Sequence, residues 1–136
     1  MTISVNQSTP STASATTARA LTAQQRERLR VRLESELEDG HEQQDRLRAL
    51  IDSTTQSRRG VGTDESEDPE GGSLAFEKAQ ATSLLEQSIR HSLEISHALG
   101  KLDADTYGTC ERCDQMIAYA RLDARPSAAL CIRCAS

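Results

Sequence analysis

Leucine returns at every fourth position at Leu29, Leu33 and Leu37, and Leu47, Leu50 and Ile51 resume the stripe after a gap. The positions between are rich in Glu, Arg and Gln and hold no proline as far as about Asp52. The spacing therefore predicts a long helix with one narrow apolar face. Thr22-Ala23-Gln24-Gln25 has the form of a capping box and sets the start of that helix. Within the gap, Gly40, His41 and Gln44 stand where a coiled-coil seam calls for apolar side chains, so the seam is weak there. His41 is read as a seam or surface residue.

A second helix is predicted from about Ser73 to Asp103. Leu85, Ile89, Leu93, Leu99 and Leu102 define its stripe, and Leu84 and Ile95 flank it. Gly100 weakens its last turn by about 1 kcal/mol against Ala. Each helix is about 45 Å long at 1.5 Å per residue, and two matched helices bury their stripes best as an antiparallel hairpin. The connection at about 53–73 is predicted as a loop from its glycines, Pro69 and small polar residues. Its second half carries Asp64, Glu65, Glu67, Asp68 and Glu70, which on composition alone read as a solvated acidic linker. Residues 1–20 are Ser, Thr and Ala with almost no charge and no period, so a disordered tail is expected.

After the second helix the chemistry changes. Cys110-Glu111-Arg112-Cys113 and Cys131-Ile132-Arg133-Cys134 are separated by 17 residues and contain all 4 cysteines of the chain. Two CxxC knuckles at this spacing match a four-cysteine zinc site, with Cys110, Cys113, Cys131 and Cys134 as ligands of one ion. Four thiolates leave no coordination position open to water or substrate, so the zinc is structural. Structural disulfides need an oxidising compartment, and a redox CxxC belongs in a thioredoxin-like strand and helix that this sequence lacks. A thiol switch superimposed on the zinc site is compatible with the same cysteines.

Composition narrows the function. With 36% hydrophobic and 2% aromatic residues, the chain is too poor in apolar bulk for a broad core and suits a helix pair closed by a metal. The net charge of −5 argues against a general nucleic-acid binder. No apolar run approaches the roughly 20 residues that span a bilayer, and no basic-then-apolar leader is visible, so a reducing cytoplasm is the expected compartment. Neither a nucleophile–base pattern nor a phosphate-binding glycine loop is present, so no enzyme is expected. The fold predicted is mainly α. A tail over 1–20 precedes a hairpin over 21–105, and a zinc finger occupies 106–136.

Leu102-Asp-Ala-Asp-Thr-Tyr107-Gly-Thr-Cys110-x-x-Cys113, then Arg121-Leu-Asp-Ala-Arg-Pro126, then Cys131-Ile-x-Cys134, resembles the DksA/TraR C4-type zinc-finger proteins. The resemblance implies a bacterial transcription regulator that binds RNA polymerase directly. Its coiled coil would enter the secondary channel, where acidic tip residues act near the catalytic magnesium. Counting back from Cys110 puts the family's Asp-x-x-Asp-x-Ala tip pattern on Glu67, Glu70 and Gly72, and a shift of one residue brings in Asp68. Asp64, Glu67, Asp68 and Glu70 are thus the candidate tip contacts. Arg121 and Arg125 are the candidate docking residues of the zinc module. Glu94 stands where members that respond jointly with guanosine tetraphosphate carry Lys, and the chain stops two residues after Cys134, so shared use of that nucleotide is not expected.

Two other functions fit parts of the chain. A weak seam suits a coiled-coil adaptor that binds another protein or itself. A zinc-ribbon nucleic-acid binder is the second. It is disfavoured because residues 107–136 carry a net charge of only +1 and two tyrosines, without a stacking platform, so direct sequence-specific DNA binding is not expected.

Overall fold

The computed structural model describes residues 20–60 and 69–135. Among the described residues four helices follow in order: α1 (Ala23–Gly60), α2 (Pro69–Asp103), α3 (Tyr119–Ala124) and α4 (Ile132–Ala135). At 1.5 Å per residue, α1 and α2 are each about 50–60 Å long. They pair as an antiparallel hairpin, and α3 and α4 belong to a small module at its base.

The start of α1 is the capping box its sequence predicts. The Thr22 amide donates to Gln25 Oε1 at 3.0 Å, and the Gln25 amide donates to Thr22 Oγ1 at 3.1 Å. Both long helices extend further than their leucine stripes indicate, so that residues 53–60 and 69–73, expected in the loop, are helical. In α1 the poor helix formers Thr54 and Thr55 return their hydroxyls to the carbonyls of Leu50 and Ile51 at 2.8 and 2.9 Å. In α2, Pro69 occupies the first helical position, where its missing amide proton costs nothing. The expected tail over 1–20 lies, Ala20 apart, outside the described residues.

The seam alternates steps of three and four residues. In α1 it runs through Leu33, Leu37, Gly40, Gln44, Leu47, Ile51 and Thr54, and in α2 through Ala81, Leu85, Ser88, Ser92, Ile95, Leu99 and Leu102. This corrects the expected α2 stripe. Leu93 is 65% exposed, whereas Ile95, expected as a flanking residue, is fully buried. The heptad needs small residues at Ala81, Ser88 and Ser92, so a count of leucines alone misses it. Gln44 fixes the register by donating from Nε2 to Ser92 Oγ at 2.8 Å and Ser88 Oγ at 3.2 Å.

At the base, α2 ends in a Schellman motif. The Thr106 amide bonds the Lys101 carbonyl at 2.9 Å, and the Asp105 amide bonds the Leu102 carbonyl at 3.3 Å. Asp105 takes the left-handed conformation this needs, at φ 63°, which Asp tolerates better than most residues. The chain then turns back onto the hairpin. Leu29, Leu33, Ile95, Ala98 and Leu102 share one core with Tyr107, Cys110, Ile117, Leu122 and Ala128 of the module. Each fully buried leucine or isoleucine there contributes about 1.5–3 kcal/mol.

Candidate metal centre and its docking to the hairpin

The first knuckle is built by a short two-stranded approach. Thr109 and Met116 form an isolated antiparallel bridge, the Cys110 amide donates to Gln115 O at 2.8 Å, and Ile117 donates to Gly108 O at 2.7 Å. The turn closes through Asp114, left-handed at φ 59°, whose amide donates to Cys110 O at 2.9 Å. Gly108 sits at φ 92°, a backbone conformation that favours glycine, and a Cβ there would also meet Leu21 Cδ1 at 3.2 Å. The second knuckle opens α4, with the Cys134 and Ala135 amides both bonded to Cys131 O. Three hydrogen bonds join or brace the knuckles: Glu111 N to Ala129 O at 3.0 Å, Arg112 Nη1 to Cys134 O at 3.1 Å, and Arg121 Nε to Leu130 O at 2.8 Å.

This brings the four sulfurs of Cys110, Cys113, Cys131 and Cys134 within 4.8 Å of one another. Cys110 is buried, Cys131 and Cys134 are partly buried, and Cys113 is exposed. The electrostatics of the group call for a cation. The backbone amide of Cys131, then those of Cys113 and Arg112, lower the Cys110 thiol to about 6. Hydrogen bonding to Cys131 and burial push Cys134 up to about 12. Crowded sulfurs cannot all be anionic without a positive ion to remove the cost of bringing them together. A soft set of four thiolates within 4.8 Å fits one zinc ion with no place left for a reacting ligand. The zinc is structural.

The module is fastened to both long helices. Arg32 of α1 donates from Nη1 to the carbonyl of Asp123 at the end of α3 and lies 3.2 Å from its carboxylate. Lys101 of α2 donates to Thr109 O at 3.1 Å beside the first knuckle and sits 3.6 Å from Glu111. His97 hydrogen-bonds Glu111, and that bond, with Lys101 close by, lowers the Glu111 carboxyl. Arg26–Asp105 and Arg30–Asp103 pair α1 with the end of α2. Tyr107, buried in the shared core, donates its hydroxyl to Pro126 O at 2.8 Å, and burial pushes its pKa up to about 12.

The remaining predicted site residues fall in different places. Arg121 spends its Nε–H inside the module, on Leu130. Arg125 is 59% exposed and pairs with Glu94 of α2 at 3.3 Å. Asp64, Glu67 and Asp68 lie outside the described residues, and Glu70 falls in the first turn of α2. The motifs of the sequence contain Tyr107 and Pro126 but do not reveal the bond between them. For Arg32 the sequence holds no signal, because its partner stands 91 residues away in a different element.

A hairpin of two long helices, closed at its base by four clustered cysteines on two knuckles, defines a coiled-coil protein with a structural C4 zinc finger. Residues 105–136 match the family model of the prokaryotic dksA/traR C4-type zinc finger. The structure is similar to that of transcription factor DksA2 from Pseudomonas aeruginosa, with a TM-score of 0.54, 26% identity, and coverage of 83% of this chain and 81% of that one. The chain thus carries the zinc finger of the DksA/TraR family on the DksA fold. In sequence it is 36% identical over 89 residues to an uncharacterized protein of Aquifex aeolicus (strain VF5), covering 65% of this chain and 61% of that one. It is 49% identical over 41 residues to the RNA polymerase-binding transcription factor DksA of Haemophilus influenzae, covering 30% of this chain and 28% of that one. The matches therefore span less than two thirds of either curated relative. Among the described residues, no helix is long and apolar enough to cross a membrane.

Proposed function

We propose that this protein is a DksA-type transcription regulator that binds RNA polymerase directly, placing its hairpin in the secondary channel with the acidic tip foremost. The observation that carries this reading is the joining, through one core, of a dksA/traR zinc finger to a hairpin of about 50 Å. A rod of that length, held rigidly at its base, sets how far a tip group reaches. The Haemophilus influenzae relative is by name an RNA polymerase-binding transcription factor, which supports the same partner here.

Carboxylates delivered by the tip would act by attracting or repositioning magnesium, by repelling phosphates, or by pairing with basic side chains of the channel. Asp64, Glu67, Asp68 and Glu70 are the residues we assign to this role, and it involves no catalytic step by this chain. The zinc keeps the knuckles rigid so that the module docks as a body, with the half-exposed Arg125 on its outer side. Glu94 holds the Arg125 guanidinium at 3.3 Å, which supports a reading in which guanosine tetraphosphate is not bound there. Replacing Asp68 and Glu70 together by Ala should leave polymerase binding intact and abolish the effect on transcription. A double variant that regulates like the parent would remove the tip from the mechanism.

A further inference from the structure

We propose that the hairpin consists of two cooperative units that meet at a polar layer, and that the distal unit opens independently of the one fastened by zinc. The two units are a property of the free chain, whichever partner it binds. The layer is formed by Gly40 and Gln44 of α1 with Ser88 and Ser92 of α2. Below it, toward the zinc module, lie all the large side chains that are fully buried among the described residues: Leu29, Leu33, Ile95, Ile117, Leu122 and Cys110. Above it the only buried seam residues among those described are Thr54 and Ala81, one polar and one small. Leu47, Ile51 and Leu85 are half-buried there, while Leu50, Leu84 and Phe76 are 46%, 42% and 70% exposed.

Electrostatic ties follow the same division. Among the described residues, the ion pairs that join one element to another lie at the layer or below it, from His91–Glu36 to Arg26–Asp105. The one described ion pair above the layer, Arg48–Asp45, is internal to α1. A groove of about 660 Å³ opens on the flank of the hairpin beside the layer, lined by Gly40, Leu84, Ser88 and His91 of the long helices and by Arg125 and Pro126 of the module. A segment opens locally at a free energy set by its own buried contacts, and a layer held by hydrogen bonds rather than by apolar side chains lets the poorer half open alone.

Amide hydrogen exchange on the zinc-loaded full chain tests this, read before and after Ile51→Ala, which weakens only the distal seam. We expect protection in 47–57 and 72–85 to lie at least about tenfold below that in 29–37 and 95–102, with a step at the layer. Ile51→Ala should lower distal protection by about a further tenfold and leave the basal amides unchanged. A gradual slope from tip to base, or basal protection that falls in parallel with distal protection, would overturn the proposal. Gln44→Leu/Ser88→Leu, which fills the layer with apolar side chains, should raise distal protection toward the basal value, and no change there would also count against it.

Discussion

Arg32 and Asp123 stand 91 residues apart, yet the Arg32 guanidinium donates to the Asp123 carbonyl and faces its carboxylate at 3.2 Å. This places one forked cation of α1 against the C-terminal end of α3, where carbonyls left unpaired by the helix end favour positive charge. Arg32→Ala should lower stability by about 1 kcal/mol, an amount moderated by the 37% exposure of the side chain. Arg32→Lys keeps the charge but loses the fork and should fall between the two. Urea unfolding of the zinc-loaded protein measures the order, and coincident midpoints for all three would deny the contact an energetic role.

Gly100 and Gly40 both lie in long helices, yet the same substitution should act on them in opposite directions. A Cβ at Gly100 meets nothing within 4 Å, so Gly100→Ala should stabilise the protein by about 0.5–1 kcal/mol through helix propensity. A Cβ at Gly40 would lie 2.9 Å from Ser92 Oγ, the atom that accepts from Gln44. Gly40→Ala must displace that hydroxyl and break the polar layer, so it should destabilise. Thermal unfolding midpoints that rise for both variants would contradict the packing described at Gly40.

Tyr107 gives the fold a defined alkaline limit. Its pKa in the folded chain is about 12 against an ordinary 10, so folding favours the neutral phenol. That contribution is fully present below pH 10 and is lost as pH rises through about 12. The stability difference between the parent and Tyr107→Phe should therefore be constant at neutral pH and shrink across that alkaline interval. Phenolate absorbance gives a direct check, with one of the two tyrosines ionising only near pH 12.

Zinc removal should damage the base of the molecule first. Cys110 is fully buried among Tyr107, Ile117 and Leu122, so losing the ion places uncompensated sulfur in the same core that covers Leu29 and Leu33. Chelation should release one zinc per chain, raise tyrosine exposure, and abolish protection of the basal amides. Cys110→Ser should have the same effects without a chelator. A protein that keeps its unfolding midpoint after complete zinc release would show that the cluster is not structural.

The residues that revealed the architecture were those whose neighbours are local. The Thr22–Gln25 box and the CxxC spacing depend on contacts within a few positions, and both are present as read, as is the α1 stripe at Leu29, Leu33, Leu37, Leu47 and Ile51 but not at Leu50, which is exposed. The extent of the helices was less legible, because Thr54 and Ala81 continue the heptad with side chains that carry little apolar signal. The exchange of Leu93 for Ile95 in the seam has the same origin, since a seam position is decided by its partner helix as much as by its own bulk. Arg121 shows the limit of motif reasoning. The motif marked it as a residue with a role, and the fold uses its Nε–H to hold Leu130 O beside the second knuckle.

Titration of the zinc-loaded protein against core RNA polymerase, with and without a second ligand known to occupy the secondary channel, tests the proposed function most directly. Saturable binding at micromolar affinity or tighter, displaced by that competitor, is the result predicted. Saturable binding that the competitor leaves untouched would contradict insertion of the hairpin into the channel, and an absence of binding at low and moderate salt would contradict the polymerase as partner.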